Sequence, residues 1–322
     1  MAPSPQRRWL TALRWSGTAA MVAWVGWRLA AEWDQAVVPA LRPLPWELGA
    51  AAVAGAAALG GLALLYVAGL AALGLPVRGR VAWHLRTWMQ GYVYRYVPGK
   101  VMLVVERARL GEQAGIPKAT SLVLVLWETL LLLAGACVLA GVGVGFVPLG
   151  AAAPPALVAA ATIAAIGLVL AFPLGLRLLA RLSTGARRRL PPALLAVPAR
   201  TQAALVLGYA GVWALLGGSF ALSCRAFEGG QDAGIAVAFW FVVSYVAGLV
   251  LAVTPAGLGV REGLLVVGLS GVFPAAAGLA FALVSRVLMT AVEGALVLVA
   301  MRARPPETPQ AHPPTIGAPP AE

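Results

Sequence analysis

Long apolar runs alternate with short polar stretches along almost the whole chain. The runs cover roughly residues 48–74, 119–147, 154–176, 201–224, 233–252 and 276–301, and an earlier one ends near Ala31. About 20 helical residues cross a hydrocarbon core of about 30 Å, so the pattern predicts an all-α, polytopic integral membrane protein. A β-barrel would need alternating segments of about 10 residues, and these runs are continuous. Two stretches depart from the pattern. Residues 79–112 mix aromatic side chains with eight charges, and residues 254–274 open on TPAGLGVREG before a short apolar run.

Composition agrees with this reading. Of 322 residues, 61% are hydrophobic and 11% charged, against about 25% charged in an ordinary soluble domain. The net charge of +12 could suggest nucleic acid as a partner. The basic residues, however, fall in short loops between apolar runs, which is the positive-inside pattern of membrane proteins. Nucleic acid is therefore not an expected partner. Cys137 and Cys224 lie inside apolar runs and read as small core residues, with neither a disulfide nor a metal site implied.

Loop charges predict the topology. Arg7, Arg8 and Arg14 place the N-terminus on the cytoplasmic side, and Glu32, Asp34 and Glu47 place the next loop outside. Residues 78–118 carry eight basic and two acidic groups and read as inside; so do Arg177, Arg181, Arg187, Arg188, Arg189 and Arg200. Glu228 and Asp232 outweigh Arg225 outside, and Arg302 and Arg304 hold the tail inside. The alternation closes with about eight crossings if 258–274 crosses or nearly crosses and 79–112 makes no net crossing. The first span reads as uncleaved, because Trp24, Trp27 and Arg28 interrupt it. Residues 1–302 form the expected membrane domain, organised as two halves. Residues 303–322 are rich in proline and alanine and are expected to be a disordered cytoplasmic tail.

Charges inside the apolar runs supply the candidate chemistry. A charge at bilayer depth costs about 2.5–3.5 kcal/mol on insertion scales, so it needs a partner or a wet cavity. Glu128, Arg286, Glu293 and the adjacent Arg261-Glu262 qualify. Arg286 and Glu293 are seven apart on one helix face, about 10 Å along the axis, which suits two walls of one cavity better than a direct pair. In YRYVPGKVMLVVERARL, Pro98-Gly99 breaks a helix; Lys100, Glu106, Arg107 and Arg109 follow. On its own that stretch also reads as an interfacial helix on anionic lipid. TPAGLGVREG repeats the theme with Pro255, Gly257 and Gly259 before its charges. Irregular backbone persists at membrane depth only where protein or water satisfies it. Two broken segments in corresponding halves point to a binding site between them.

These blocks carry a resemblance. PGK at 98–100, Glu106-Arg107, Trp127-Glu128, the P-x-G-x-G-x-R-E block met by Pro255, Gly257, Gly259, Arg261 and Glu262, and Ser285-Arg286 together resemble the lysylphosphatidylglycerol synthase transmembrane-region family. That family is also described as the flippase-like domain. The likeness runs from about residue 10 to 302. It implies a membrane domain that moves or presents anionic lipids, without cofactor or metal. The soluble aminoacyl-transferring domain found fused in some members does not follow residue 302 here, so lysyl-lipid synthesis is not expected of this chain.

The sequence reading therefore assigns a lipid headgroup to Lys100, Arg107, Arg261 and Arg286, with Glu106, Glu128, Glu262 and Glu293 as charge partners. Membrane lipids, anionic ones foremost, are the expected partners. Two alternatives stand beside it: a lipid-modifying enzyme using Glu128 or Glu262 as a base, and a scaffold for envelope-biosynthesis proteins. No HExxH, Walker loop, GxSxG or metal-ligand spacing is present, and the two histidines are His84 and His312.

Overall fold

The computed structural model describes residues 27, 30–31, 46–96, 101–147, 155–182, 192–195, 197–227, 230, 232–251, 257 and 259–302. The expected first span falls almost wholly outside these residues, as do the tail and Pro98, Gly99, Lys100 and Pro255. Among the described residues the fold is all-helical. The helices are α1 (Trp46–Ala72), α2 (Val81–Val93), α3 (Val101–Gln113), α4 (Lys118–Gly143), α5 (Pro155–Leu182), α6 (Pro192–Leu195), α7 (Ala199–Cys224), α8 (Gly234–Leu251), α9 (Val260–Gly268) and α10 (Ala275–Ala300); a 3₁₀ turn, Tyr94–Tyr96, follows α2.

Among the described residues, five helices are long and apolar enough to cross a membrane: α1, α4, α5, α7 and α10. Leucines such as Leu64, Leu126, Leu168 and Leu207 stay exposed on them, as lipid-facing positions must. Lipid tails give apolar side chains no reason to leave lipid, so close packing between spans depends on small residues. A Cβ at Gly61 of α1 would lie 2.9 Å from Val212 of α7, and one at Gly135 of α4 would lie 2.8 Å from the backbone of Ala210. The Ser219 hydroxyl of α7 donates to the Ala51 carbonyl at 2.7 Å. Such contacts hold α7 centrally between α1 and α4.

The first irregular stretch folds as a helical hairpin, and the second forms one with the apolar run before it. In the first, α2 and α3 run antiparallel: Arg80 donates to the Ala114 carbonyl at 2.7 Å and Trp83 donates to the Leu110 carbonyl at 3.0 Å. Each arm has 13 residues and rises about 20 Å, too short to cross. In the second, α9 returns alongside α8. A Cβ at Gly248 would sit 3.2 Å from the Gly257 Cα, and Gly268 abuts the Trp240 ring. With nine residues, α9 rises only about 14 Å. The expected near-crossing at 258–274 is thus a half-helix packed on α8.

Connectivity places the hairpins on opposite faces. Between them lie three spans, α4, α5 and α7, so the first hairpin enters from the face where α1 ends and the second from the face where α7 ends. From Val81 to Arg95 the chain climbs about 20 Å, and from Gly234 to Tyr245 about 16 Å. The hairpins meet through Tyr92 and Tyr245, whose hydroxyls lie 3.1 Å apart. One hydrophobic cluster, with Phe220, Phe227, Trp240 and Phe281, fills the half toward the second hairpin's base. Another, with Leu70, Trp88, Trp127 and Tyr209, fills the opposite half.

His84 lies at the base of α2, outside the spanning helices, and is fully buried. Its Nε2 donates to the Pro76 carbonyl at 2.9 Å while Nδ1 has no partner. Burial holds its pKa below the ordinary 6.5, the Pro76 bond opposing and Arg80 adding to the shift.

Candidate functional site

Four arginines converge where the hairpins meet. Arg95 and Arg107 come from the first hairpin, Arg261 from the second and Arg286 from α10. Three glutamates accompany them. Arg107 pairs with Glu128 of α4 at 2.6 Å, and Trp88 also donates to Glu128. Arg286 pairs with Glu262 at 3.0 Å. Arg95 pairs with Glu293 of α10, joining the first hairpin to the last span. Among the described residues, four cations face three carboxylates, and Arg261 is left over. It is 7% exposed and has no hydrogen-bond or ion-pair partner among the described residues; its Nε is wholly buried and unbonded.

Local structure explains how Arg261 is held. Gly257 adopts φ +71° and Gly259 φ +83°, left-handed values that a side chain disfavours. These turns bring Gly257 against Gly248 and leave a slot for the Arg261 stem. A Cβ at Gly248 would lie 2.9 Å from Arg261 Cγ, and one at Gly257 3.2 Å from it. Beyond the slot, the guanidinium lies over the Tyr245 ring at 4.4 Å and near Phe241 at 5.5 Å. Stacking stabilises a desolvated cation without neutralising it.

Both carboxylate oxygens of Glu262 are engaged within the protein. One carboxylate oxygen accepts from the Gly259 amide at 2.7 Å, capping α9, and the other accepts from Arg286. The N-terminus of α9 is thus capped from within. Its carboxylate braces α9 against α10.

A cavity of about 110 Å³ lies beside Arg261. Arg95, Arg107, Glu128, Tyr245 and Arg261 line its polar side; Leu62, Leu103, Val125, Trp213 and Leu249 line its apolar side. A smaller cavity of about 20 Å³ lies toward α10 and is lined by Arg261, Arg286, Glu262 and Glu293. Tyr92, Arg95, Tyr245 and Arg261 border both. Arg95 donates to the hydroxyls of Tyr92 and Tyr245, which lie 3.1 Å apart. Together these three groups form the partition between the cavities.

The sequence-derived residues distribute unevenly over this site. Arg107, Arg261, Arg286, Glu128, Glu262 and Glu293 are all at the cavities. Arg286 and Glu293 both line the smaller cavity, Arg286 paired with Glu262 and Glu293 with Arg95. Glu106 does not reach it: its carboxylate accepts from Gln90 at 2.9 Å and Arg109 at 2.6 Å on the outer side of the first hairpin. Lys100, Pro98, Gly99 and Pro255 lie outside the described residues.

Arg95, Tyr92 and Tyr245 were not foreseen. A signal existed for two of them: Arg95 stands three residues before Pro98 in the charged, aromatic stretch 79–112. Tyr245 is the lone tyrosine of the apolar run 233–252. Comparison of the chain with protein-family models, with curated proteins and with solved structures returns no match.

Proposed function

We propose that this chain binds an anionic membrane lipid by its headgroup and carries it between leaflets, without covalent chemistry. The observation that supports this most is the unpartnered Arg261 guanidinium beside a cavity of about 110 Å³ between two opposed hairpins. A buried cation is costly unless paired, and the protein uses neighbouring carboxylates to pair the other three arginines. A planar guanidinium matches two oxygens of a phosphate. The apolar side of the cavity suits the glycerol and proximal chain of a lipid whose tails remain in the bilayer. Charge distribution favours the cytoplasmic membrane, with the first hairpin entering from inside.

Leaflet assays test the proposal. Full-length protein in vesicles carrying a headgroup-anionic fluorescent lipid exposes inner-leaflet label to an impermeant quencher, and Arg261→Ala slows that exposure to the rate of empty vesicles. Equal, slow exposure with wild type, variant and empty vesicles overturns the reading.

A further inference from the structure

Building on that lipid-binding reading, we infer that the site selects a phosphodiester carrying one negative charge and a headgroup with no positive charge. The inference follows from the charge inventory. Across both cavities, four arginines face three glutamates, each glutamate held by its own arginine. The described residues thus leave a surplus of one positive charge, localised on Arg261. A ligand with one negative charge neutralises it. A dianionic phosphomonoester leaves one negative charge uncompensated at bilayer depth, where an unpaired charge is expensive. A zwitterionic lipid brings an ammonium group that finds no unpaired carboxylate among the described cavity residues.

Geometry limits the ways around this. Glu262 is fixed by both Gly259 and Arg286, and Glu128 by Arg107 and Trp88. Releasing either to meet an ammonium strands a buried arginine. The faces of Tyr92 and Tyr245 already carry Arg95 and Arg261 at 4.1 and 4.4 Å, so neither tyrosine has that face open to a ligand cation. Among the described residues, only the edge of Arg261 remains open to a ligand, with space beside it.

The same phosphodiester chemistry occurs in a lipid and in a soluble glycerophosphodiester, so the test includes both. Detergent-purified full-length protein is loaded with fluorescent phosphatidylglycerol and challenged with unlabelled competitors. These are phosphatidylglycerol, phosphatidylethanolamine, phosphatidic acid at a pH that makes it dianionic, glycerophosphoglycerol and inorganic phosphate. Phosphatidylglycerol is expected to compete about tenfold better than the zwitterion and the dianion, the scale of one charge-assisted contact.

Arg261→Gln removes that preference, and Arg261→Lys, which keeps the charge, preserves its order; elution of each variant as a single folded peak accompanies the measurement. Equal competition by phosphatidylethanolamine or dianionic phosphatidic acid, or a preference that survives in folded Arg261→Gln, overturns the inference. Glycerophosphoglycerol competing as well as the lipid supports the charge rule and overturns the lipid source. Selective binding without leaflet movement defeats the transport reading alone; leaflet movement without selectivity defeats this inference alone.

Discussion

The two hairpins solve the same packing problem and end with opposite charge states. In each, a glycine on the first arm makes room for an arginine stem from the second: Gly91 for Arg107, and Gly248 for Arg261. Each guanidinium then rests over a tyrosine at 4.4 Å, Tyr66 or Tyr245. Each second arm is also tied to the following span by an ion pair, but the polarity is reversed. The first hairpin offers Arg107 to Glu128 of α4, whereas the second offers Glu262 to Arg286 of α10. The first arginine is thereby consumed in holding the fold together. The second hairpin uses its acid for bracing and leaves its arginine unspent. A difference of one residue in which charge does the bracing separates a structural joint from a candidate ligand site.

The contrast predicts unequal responses to the same substitution. Arg107→Ala strands Glu128 in the interior and costs about 3–5 kcal/mol, read as a loss of thermal stability in detergent. Adding Glu128→Gln recovers most of it. Arg261→Ala leaves no orphaned carboxylate, so it abolishes anionic-lipid binding while the melting temperature holds or rises. A large fall in stability for Arg261→Ala, matching Arg107→Ala, would make the two hairpins equivalent and remove the contrast.

Gly248→Ala puts a methyl group 2.9 Å from the Arg261 stem, and overpacking of this kind costs about 1–3 kcal/mol. Binding suffers more than stability, whereas Gly91→Ala, measured in parallel, lowers stability with less effect on binding. Tyr245→Phe keeps the ring beneath Arg261 and removes the hydroxyl shared with Arg95 and Tyr92, a loss of about 1 kcal/mol by chemical denaturation. The smallest effect is at the base of the first hairpin. His84 is held neutral in the fold, so the unfolded chain binds more protons as pH falls through 6.5 and below. Stability declines there, and His84→Gln flattens the decline.

Much of this contrast is legible in the chain. Pro-Gly and Pro-x-Gly-x-Gly interruptions mark both hairpins, because unsatisfied backbone has no place in lipid. Arg261, Glu262, Arg286, Glu128 and Glu293 stand out as charges within apolar runs for the same reason. The pairing does not emerge from spacing. Arg95 and Glu293 are 198 residues apart, and only the packing of the first hairpin against α10 joins them. Glu106 looked equivalent to Glu262 because both adjoin an arginine. Helical phase separates them: Glu106 turns toward Gln90 and Arg109, away from the cavity. The short α9 escaped the charge-alternation argument, which counts the sides of loops and is blind to a helix that turns back at half depth.

Opposed hairpins also reshape the electric field. Because each returns to its own face, the arginine cluster is reached through about half a bilayer from either direction. A full crossing moves one elementary charge through about 2.3 kcal/mol per 100 mV, so an anion arriving at mid-depth registers about half of that. Occupancy would then respond to membrane voltage, giving the chain an electrical sensitivity without a dedicated sensor helix.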